Sequence, residues 1–239
     1  MSGTLIHLAI ADKIYFRLGG DVIKNLPLFF GGNIAPDAIH AKKDYKRTDK
    51  KYTHLCDGIC SYGYGYPEIS KLFKDRVHEF IDNYYLTAGE DKDLYLGYIV
   101  HLFVDELEMF SACERLENKL KSDGVYSDEP VFRKNLADEI NSGGYRGFFK
   151  EDAYNNDLLA HEYEFKQKVI DILEAVWDYE VRDYISANEI NISKRWVINT
   201  VFKCESIEGS ILNKDCKSVM KFIDLAAKNI IEQLKYVIL

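Results

Sequence analysis

The run from Leu94 to Asp105 constrains the fold of this chain more than any other segment, because it is largely apolar yet contains His101 and Asp105 near its end. These two residues are four apart, slightly more than one helical turn, so a helix places both side chains on the same face. A buried face that carries an imidazole and a carboxylate must pair them, change the protonation state of one, or give them a metal ion. The segment therefore predicts a buried helix, over about 91–116, with a polar cluster in the core.

The rest of the chain also shows helical periodicity. We expect helices at about 4–18, 68–86, 130–141, 156–175, 177–187, 193–205 and 215–237, and a short one that begins near Asn33 or Ala35 with Pro36 in its first turn. Thr4 would cap the first helix, and Gly19-Gly20 would end it. No segment shows strand alternation between hairpin signals. The predicted fold is all-α, a single multi-helix domain over residues 1–239.

Composition limits the classes of function. The 239 residues carry a formal net charge of −8, and the only dense basic segment, 42–51, is interpreted as a solvated loop. General nucleic-acid binding is not expected, because phosphate contacts need clustered basic side chains. The N-terminus lacks the features of a secretion signal, and no apolar stretch reaches the roughly 18 residues of a transmembrane segment. With no disulfide pattern among the cysteines either, we expect a cytoplasmic protein. The oligomeric state stays open.

Five residues within the first 105 positions form a candidate set of metal ligands: His7, Asp37, His54, His101 and Asp105. Three imidazoles and two carboxylates are the mixture that zinc, iron or manganese sites use. Each residue also has an ordinary explanation: a satisfied core histidine, a loop histidine, a first-turn aspartate, or a direct hydrogen bond between the two residues of the central helix. Composition alone does not show that the five converge.

Four segments resemble, in the same order, those of the zinc-dependent phospholipase C family, whose all-helical fold is shared with the S1/P1-type nucleases. They are the helix around His7, the Gly-x-x-x-Pro-Asp turn that ends at Asp37, the Thr-His pair at His54, and the His-x-x-x-Asp helix of His101 and Asp105. The resemblance covers roughly residues 1–110. It implies that Asp37, His54, His101 and Asp105 bind one metal ion, most simply zinc, and that Asp105 bridges to a second ion held by His7. Metal-site helices would span 1–116, and covering helices 130–239.

The chain departs from the family at the third metal site. Residues 106–160 contain no histidine, and His161 is followed four residues later by Phe165, so the expected His-x-x-x-Glu pair is broken; Glu164, three residues after His161, is a weaker candidate for the glutamate. We therefore expect one or two ions, with iron or manganese as alternatives to zinc. His40 is interpreted as an extra ligand, a phosphate contact or a neighbour of the site. The loop 62–66 is either a wall of a substrate pocket or a surface loop.

The resemblance predicts a metal-dependent hydrolase of phosphoric esters, with a phospholipid or a small phosphodiester or monoester as substrate. Asp37 could act as general base. Two alternatives stay open: a metal-binding helical protein without catalysis, and a helical interaction module whose buried histidines and aspartates bond directly. Other enzyme classes are disfavoured, because the sequence lacks a His-Asp dipeptide, a Glu-x-x-His motif, a Gly-rich phosphate loop and a nucleophile elbow.

Overall fold

The computed structural model describes residues 3–59, 67–142, 159, 163–203 and 216–238. Within these ranges the chain forms nine α-helices: α1 Thr4–Leu18, α2 Leu26–Ala38, α3 Arg47–Thr53, α4 Pro67–Phe80, α5 Lys92–Ser122, α6 Pro130–Ser142, α7 Tyr163–Glu174, α8 Ala187–Asn199 and α9 Cys216–Val237. A π-helical turn, Ile81–Tyr85, extends α4, and 3-10 turns follow α2 and α8. The same ranges contain no strand, so the all-α prediction is confirmed.

Helix α2 lies at the centre of the fold and packs most extensively against α5. Two glycines allow the backbones of these helices to touch. A Cβ atom on Gly32 would lie 1.8 Å from the carbonyl oxygen of Leu94, and one on Gly97 would lie 1.9 Å from that of Phe29. No other residue fits at such a crossing. The close approach brings the second half of α2 beside the part of α5 that carries the His101/Asp105 pair.

The predicted short helix that begins near Asn33 or Ala35 is wrong, because both residues lie inside α2. This helix begins at Leu26, with Pro27 in its first turn, and Pro36 falls in its last turn. The side chain of Asn25 caps it by accepting a hydrogen bond from the backbone N–H of Leu28 at 3.1 Å. Glycine and proline in this segment indicated a turn. Gly32 instead allows the close crossing with α5.

The predicted helix at 177–187 is also wrong. This segment forms a turn in which Asp183 has a φ of 66°, closed by a single antiparallel bridge between Val181 and Ile185. The next helix, α8, begins before the predicted residue 193 because Ser186 and Glu189 form a capping box at its start. The bridge is the only extended pairing among the described residues.

The main buried core extends from α1 through α2 and α5 to α9. A smaller, separate cluster lies between the C-terminal part of α5 and α6. Helix α9 packs against α1 and α5, whereas α7 and α8 cover α2. The predicted cap of α1 is wrong in detail, since Gly3 occupies the N-cap position and Thr4 is the first helical residue. None of the helices in the described ranges has the length and apolar character that a membrane crossing requires.

Candidate metal centre

The five predicted ligands come together in the structure. His7 lies on α1, Asp37 in the last turn of α2, His54 directly after α3, and His101 and Asp105 one turn apart on α5. They form two groups, His7/His101/Asp105 and Asp37/His54/His101, and the candidate ligand atoms within each group lie within 4.8 Å of one another. The three histidines are buried, whereas the two aspartates are partly exposed. These groups could each hold a metal ion.

Backbone carbonyls fix the tautomers of two of the imidazoles. Nδ1 of His101 lies 2.7 Å from the carbonyl oxygen of Asn33, and Nδ1 of His54 lies 2.9 Å from that of Lys50. A carbonyl oxygen only accepts hydrogen bonds, so each Nδ1 carries a proton and donates it. In the neutral rings each Nε2 then presents a lone pair, and the two Nε2 atoms face each other at 3.3 Å. Two lone pairs cannot bond to each other, so a metal ion or an additional proton must lie between them.

The segment that carries His54 is fixed by both central helices. The hydroxyl of Thr53 donates a hydrogen bond to the carbonyl oxygen of Pro36 at 3.0 Å, which ties the end of α3 to α2. The buried hydroxyl of Tyr98, on α5, donates to the carbonyl oxygen of Thr53. Thr53, the residue directly before His54, is therefore held against α2 and α5 by buried hydrogen bonds, which fixes the backbone from which the His54 ring extends.

The spacing of the ligand atoms fits a small divalent ion. Nε2 of His54 lies 3.3 Å from Oδ1 of Asp37 and 3.5 Å from Oδ2 of Asp105. Nε2 of His101 lies 3.9 Å from the same Oδ2. A tetrahedral zinc site with bonds of about 2.0–2.1 Å has its ligand atoms about 3.4 Å apart. Each of these distances is thus close to the spacing between ligands of one ion, and they join atoms from three segments of the chain.

Asp105 faces both groups of ligands. Its Oδ2 is directed at His54 and His101, whereas its Oδ1 lies 3.3 Å from Nε2 of His7. Nδ1 of His7 is buried and has no hydrogen-bond partner. Buried polar atoms without a partner are uncommon and indicate a bound group or water. A carboxylate that directs one oxygen to each side is arranged as a bridging ligand.

His101 can serve only one of the two groups, because its Nδ1 is engaged with Asn33 and one Nε2 lone pair remains. Its Nε2 is nearest to that of His54, which assigns it to the group with Asp37. The second group then keeps His7, whose ring stacks on that of His101 with centroids 3.9 Å apart, and one oxygen of Asp105. The described residues therefore offer one group of three ligands, Asp37, His54 and His101, and a second of His7 and Asp105, whose other oxygen adjoins the first group.

Lys50 is a residue of the centre that the sequence did not indicate. The interpretation of segment 42–51 as a solvated loop is wrong for this side chain, which is only 11% exposed and forms an ion pair with Oδ1 of Asp37. Its Nζ also lies 3.4 Å from Nε2 of His40. The available signal was the four-residue spacing from His54, which puts both side chains on one face of a helix. The short helix α3 itself was not predicted.

The charges of the centre are strongly coupled. Burial by itself would raise the pKa of Asp37, but Lys50 and the imidazoles of His54 and His101 outweigh it and hold this pKa well below its usual range. The pKa of Asp105 is also lowered, because its contacts with the imidazoles outweigh the effect of burial. Burial, aided by the neighbouring His7, lowers the pKa of His101 to about 3. Anionic carboxylates and a neutral imidazole are the protonation states that metal binding requires.

The remaining predicted site residues lie at the edge of the centre or away from it. His40 is exposed, with its Nε2 3.9 Å from Oδ1 of Asp37, and belongs to neither ligand group. It is a neighbour of the site rather than one of its clustered ligands. Glu164 is exposed on α7 and also belongs to neither group. His161 and the loop 62–66 fall outside the described residues.

Comparisons with known proteins give no relative for this chain: no protein-family model, no curated protein and no solved structure matches it. The resemblance to the phospholipase C family therefore depends on the four sequence segments. The case for a metal centre depends on the geometry of the five residues.

Proposed function

We propose that this protein is a metal-dependent hydrolase of phosphoric esters and a divergent relative of the zinc-dependent phospholipase C family. The observation that carries the proposal is the pair of facing Nε2 atoms of His54 and His101, flanked by the carboxylates of Asp37 and Asp105. Neutral imidazoles with carboxylates are a ligand set that suits zinc, and iron or manganese would accept it as well. The substrate class follows from the resemblance of the four segments.

The residues of the chain prepare the centre for this chemistry. When bound, the metal would supply Lewis acidity toward a phosphoryl oxygen and would lower the pKa of water. The carbonyl oxygens of Asn33 and Lys50 orient the two imidazoles, and hydrogen bonds of this kind typically change metal affinity by about 10–100-fold. The low pKa of Asp37 makes its carboxylate a weak base. We therefore assign Asp37 first to ligation, and its role as general base stays a prediction.

Solvent access favours an enzyme over a structural metal site. Structural zinc sites are closed by four protein ligands, whereas catalytic sites keep a position open to substrate. Here Asp37 and Asp105 are partly exposed, and Asp37 lines a surface cleft together with His40. The carboxylate side of the centre is thus accessible from the surface, which supports hydrolysis over the non-catalytic alternative.

Metal analysis of the purified protein tests the first part of the proposal. We expect one to two equivalents of zinc in the wild type and loss of the His54/His101 ion in His54→Ala and His101→Ala. His78→Ala is the matched control, because His78 is exposed on α4 and belongs to neither ligand group. A wild-type protein that binds no transition metal, and keeps its circular dichroism in chelator, would contradict the proposal.

Hydrolysis assays test the second part. The zinc-loaded protein should release p-nitrophenol from p-nitrophenyl phosphate or its bis-ester, and activity should disappear in chelator. We expect His101→Ala to lower turnover by more than about 100-fold, since it removes a ligand rather than a residue that orients one. A fully metal-loaded protein that hydrolyses neither ester would support the non-catalytic metal-binding alternative instead.

A further inference from the structure

A surface cleft adjoins the metal centre on the side of Asp37. It has a volume of about 390 Å³ and lies between the start of α1, the end of α2 and helix α8. Small-molecule sites commonly have volumes of about 300–1,000 Å³, so the cleft is at the small end of this range. Because Asp37 belongs to both the cleft and the centre, a molecule bound in the cleft lies next to the candidate ligands.

The two walls of the cleft differ in chemistry. Asp37 and His40 form a polar wall, with the ammonium group of Lys50 directly behind both of them. On the opposite wall, Ile192 and Trp196 lie one turn apart on α8 and remain 41% and 51% exposed. A large aromatic side chain that stays exposed beside a second apolar residue in a concave site is typical of a ligand-binding surface.

With a divalent ion bound, the positive charge of the ion and of Lys50 would exceed the charge of the two carboxylates, so the polar side would suit an anionic group. Lys50 is the buried cation of this wall, and a divalent ion held by Asp37 would add to its charge. Helix α1 begins at Thr4, which lines the cleft, and has neither an acidic residue in its first turn nor a side-chain cap. The N-terminal end of its dipole therefore also favours an anion.

We propose that the cleft binds the organic group of a small, soluble phosphate ester, with a flat ring stacked on Trp196 and the phosphate directed to the metal centre beside Lys50. This inference rests on the proposed function and adds the substrate class. A single ring system matches the volume of the cleft, whereas two long acyl chains exceed it. The indole face gives affinity for a planar group with little dependence on its substituents.

The two tryptophans of the chain allow a direct test by fluorescence. Trp177 is 73% exposed and does not line the cleft, so it provides the matched control. Trp177→Phe leaves Trp196 as the only indole, and Trp196→Phe leaves Trp177. Each zinc-loaded variant is titrated with phenylphosphonate and with methylphosphonate, whose carbon–phosphorus bonds resist hydrolysis. Phenylphosphonate should quench the emission of Trp177→Phe saturably and leave that of Trp196→Phe unchanged.

The affinities of the two probes distinguish the contribution of the ring to binding from that of the phosphonate group. We expect phenylphosphonate to bind about tenfold more tightly than methylphosphonate, and Trp196→Ala to remove this difference. Lys50→Met should weaken both probes, because each carries the same anionic group. Equal affinities for the two probes in the wild type, or equal quenching in the two single-tryptophan variants, would overturn the inference.

The failure of this inference is distinguishable from the failure of the proposed function. If p-nitrophenyl phosphate is hydrolysed with the same KM in the wild type and in Trp196→Ala, the cleft is not the ring site, although the protein is a hydrolase. If ring-selective binding occurs and no phosphate ester is hydrolysed, the cleft is confirmed as a ligand site and the hydrolase proposal fails.

Discussion

The contact of Gly97 with the backbone of α2 couples the fold to the candidate metal centre, and Gly97→Ala tests both. A Cβ atom there would lie 1.9 Å from the carbonyl oxygen of Phe29, whereas ordinary contacts begin near 3.4 Å, so the helices must separate by about 1.5 Å. The hydrogen bond between the carbonyl oxygen of Asn33 and Nδ1 of His101, 2.7 Å long, spans the same crossing. A separation of that size would break it.

The expected destabilisation by Gly97→Ala is about 2–4 kcal/mol. Overpacking typically costs about 1–3 kcal/mol, and a clash of backbone with backbone lies at the upper end. The lost hydrogen bond adds about 1 kcal/mol, and the higher helix propensity of alanine offsets about 1 kcal/mol. Because that hydrogen bond orients the ring of His101, zinc affinity should also fall by about 10–100-fold.

Gly31→Ala is the matched control on α2. Its Cβ atom would meet a methyl group of Val176 at 3.1 Å, a side-chain contact that can adjust, rather than the backbone of α5. We expect its free energy of unfolding to stay within about 1 kcal/mol of the wild type. Its zinc affinity should be unchanged, since Gly31 does not separate Asn33 from His101.

Urea unfolding of the chelator-treated proteins, followed by circular dichroism, gives the free energies of unfolding, and competition with a chromophoric chelator gives the zinc affinities. A Gly97→Ala variant as stable as Gly31→Ala would refute the close crossing of α2 and α5. If Gly97→Ala is destabilised and still binds zinc as tightly as the wild type, the role assigned to the Asn33–His101 hydrogen bond is refuted.

Three further predictions concern the buried polar groups. Lys50→Met should destabilise the metal-free protein by about 1–3 kcal/mol, because the carboxylate of Asp37 loses the cation that compensates its charge. Zinc should then raise the Tm of this variant more than that of the wild type, and an equal rise in the two proteins would contradict the prediction. In chelator, His101 should contribute a fall of about 1.4 kcal/mol per pH unit to the free energy of unfolding as the pH drops from about 6.5 toward 3. In this window unfolded His101 binds a proton, whereas the folded residue, with its pKa lowered to about 3, does not. His101→Gln should therefore reduce the slope in urea titrations at several pH values, and an unchanged slope would assign the proton to another group. Tyr98→Phe should cost about 1–2 kcal/mol in urea unfolding, since the buried carbonyl of Thr53 loses its donor; a neutral effect would show that this hydrogen bond contributes no net stability.

The candidate ligands of the central helix were predictable from the sequence because their signal is local. An imidazole and a carboxylate four residues apart in an apolar run indicate a buried polar helix face whatever the rest of the chain does. The helix of His101 and Asp105 was predicted at about 91–116 and is found at Lys92–Ser122. The order of the other three segments supplied His7, Asp37 and His54, which the structure brings to the same place.

The crossing that brings the ligands together was not predictable in the same way. The role of Gly32 and Gly97 depends on contacts with the backbone atoms of Leu94 and Phe29. These contact residues are more than 60 positions away along the chain, so the sequence near each glycine does not reveal the contact. Without knowledge of these contacts, glycines followed a few residues later by a proline indicate a turn, and this local signal led to the wrong predicted start for α2. A tertiary contact of backbone with backbone leaves no pattern within a single segment.

Lys50 was missed for a related reason, and its position bears on the function. Local composition predicts that a lysine in a basic segment is solvated, whereas its burial is decided by Asp37 on another helix. In the metal-free protein the ammonium group compensates that carboxylate. The ammonium group would repel a bound divalent ion, so it would lower the metal affinity of a purely structural site. A site that receives a phosphate ester gains from the additional positive charge. The position of a buried lysine next to a candidate metal ligand therefore favours an anionic substrate over a structural role for the centre.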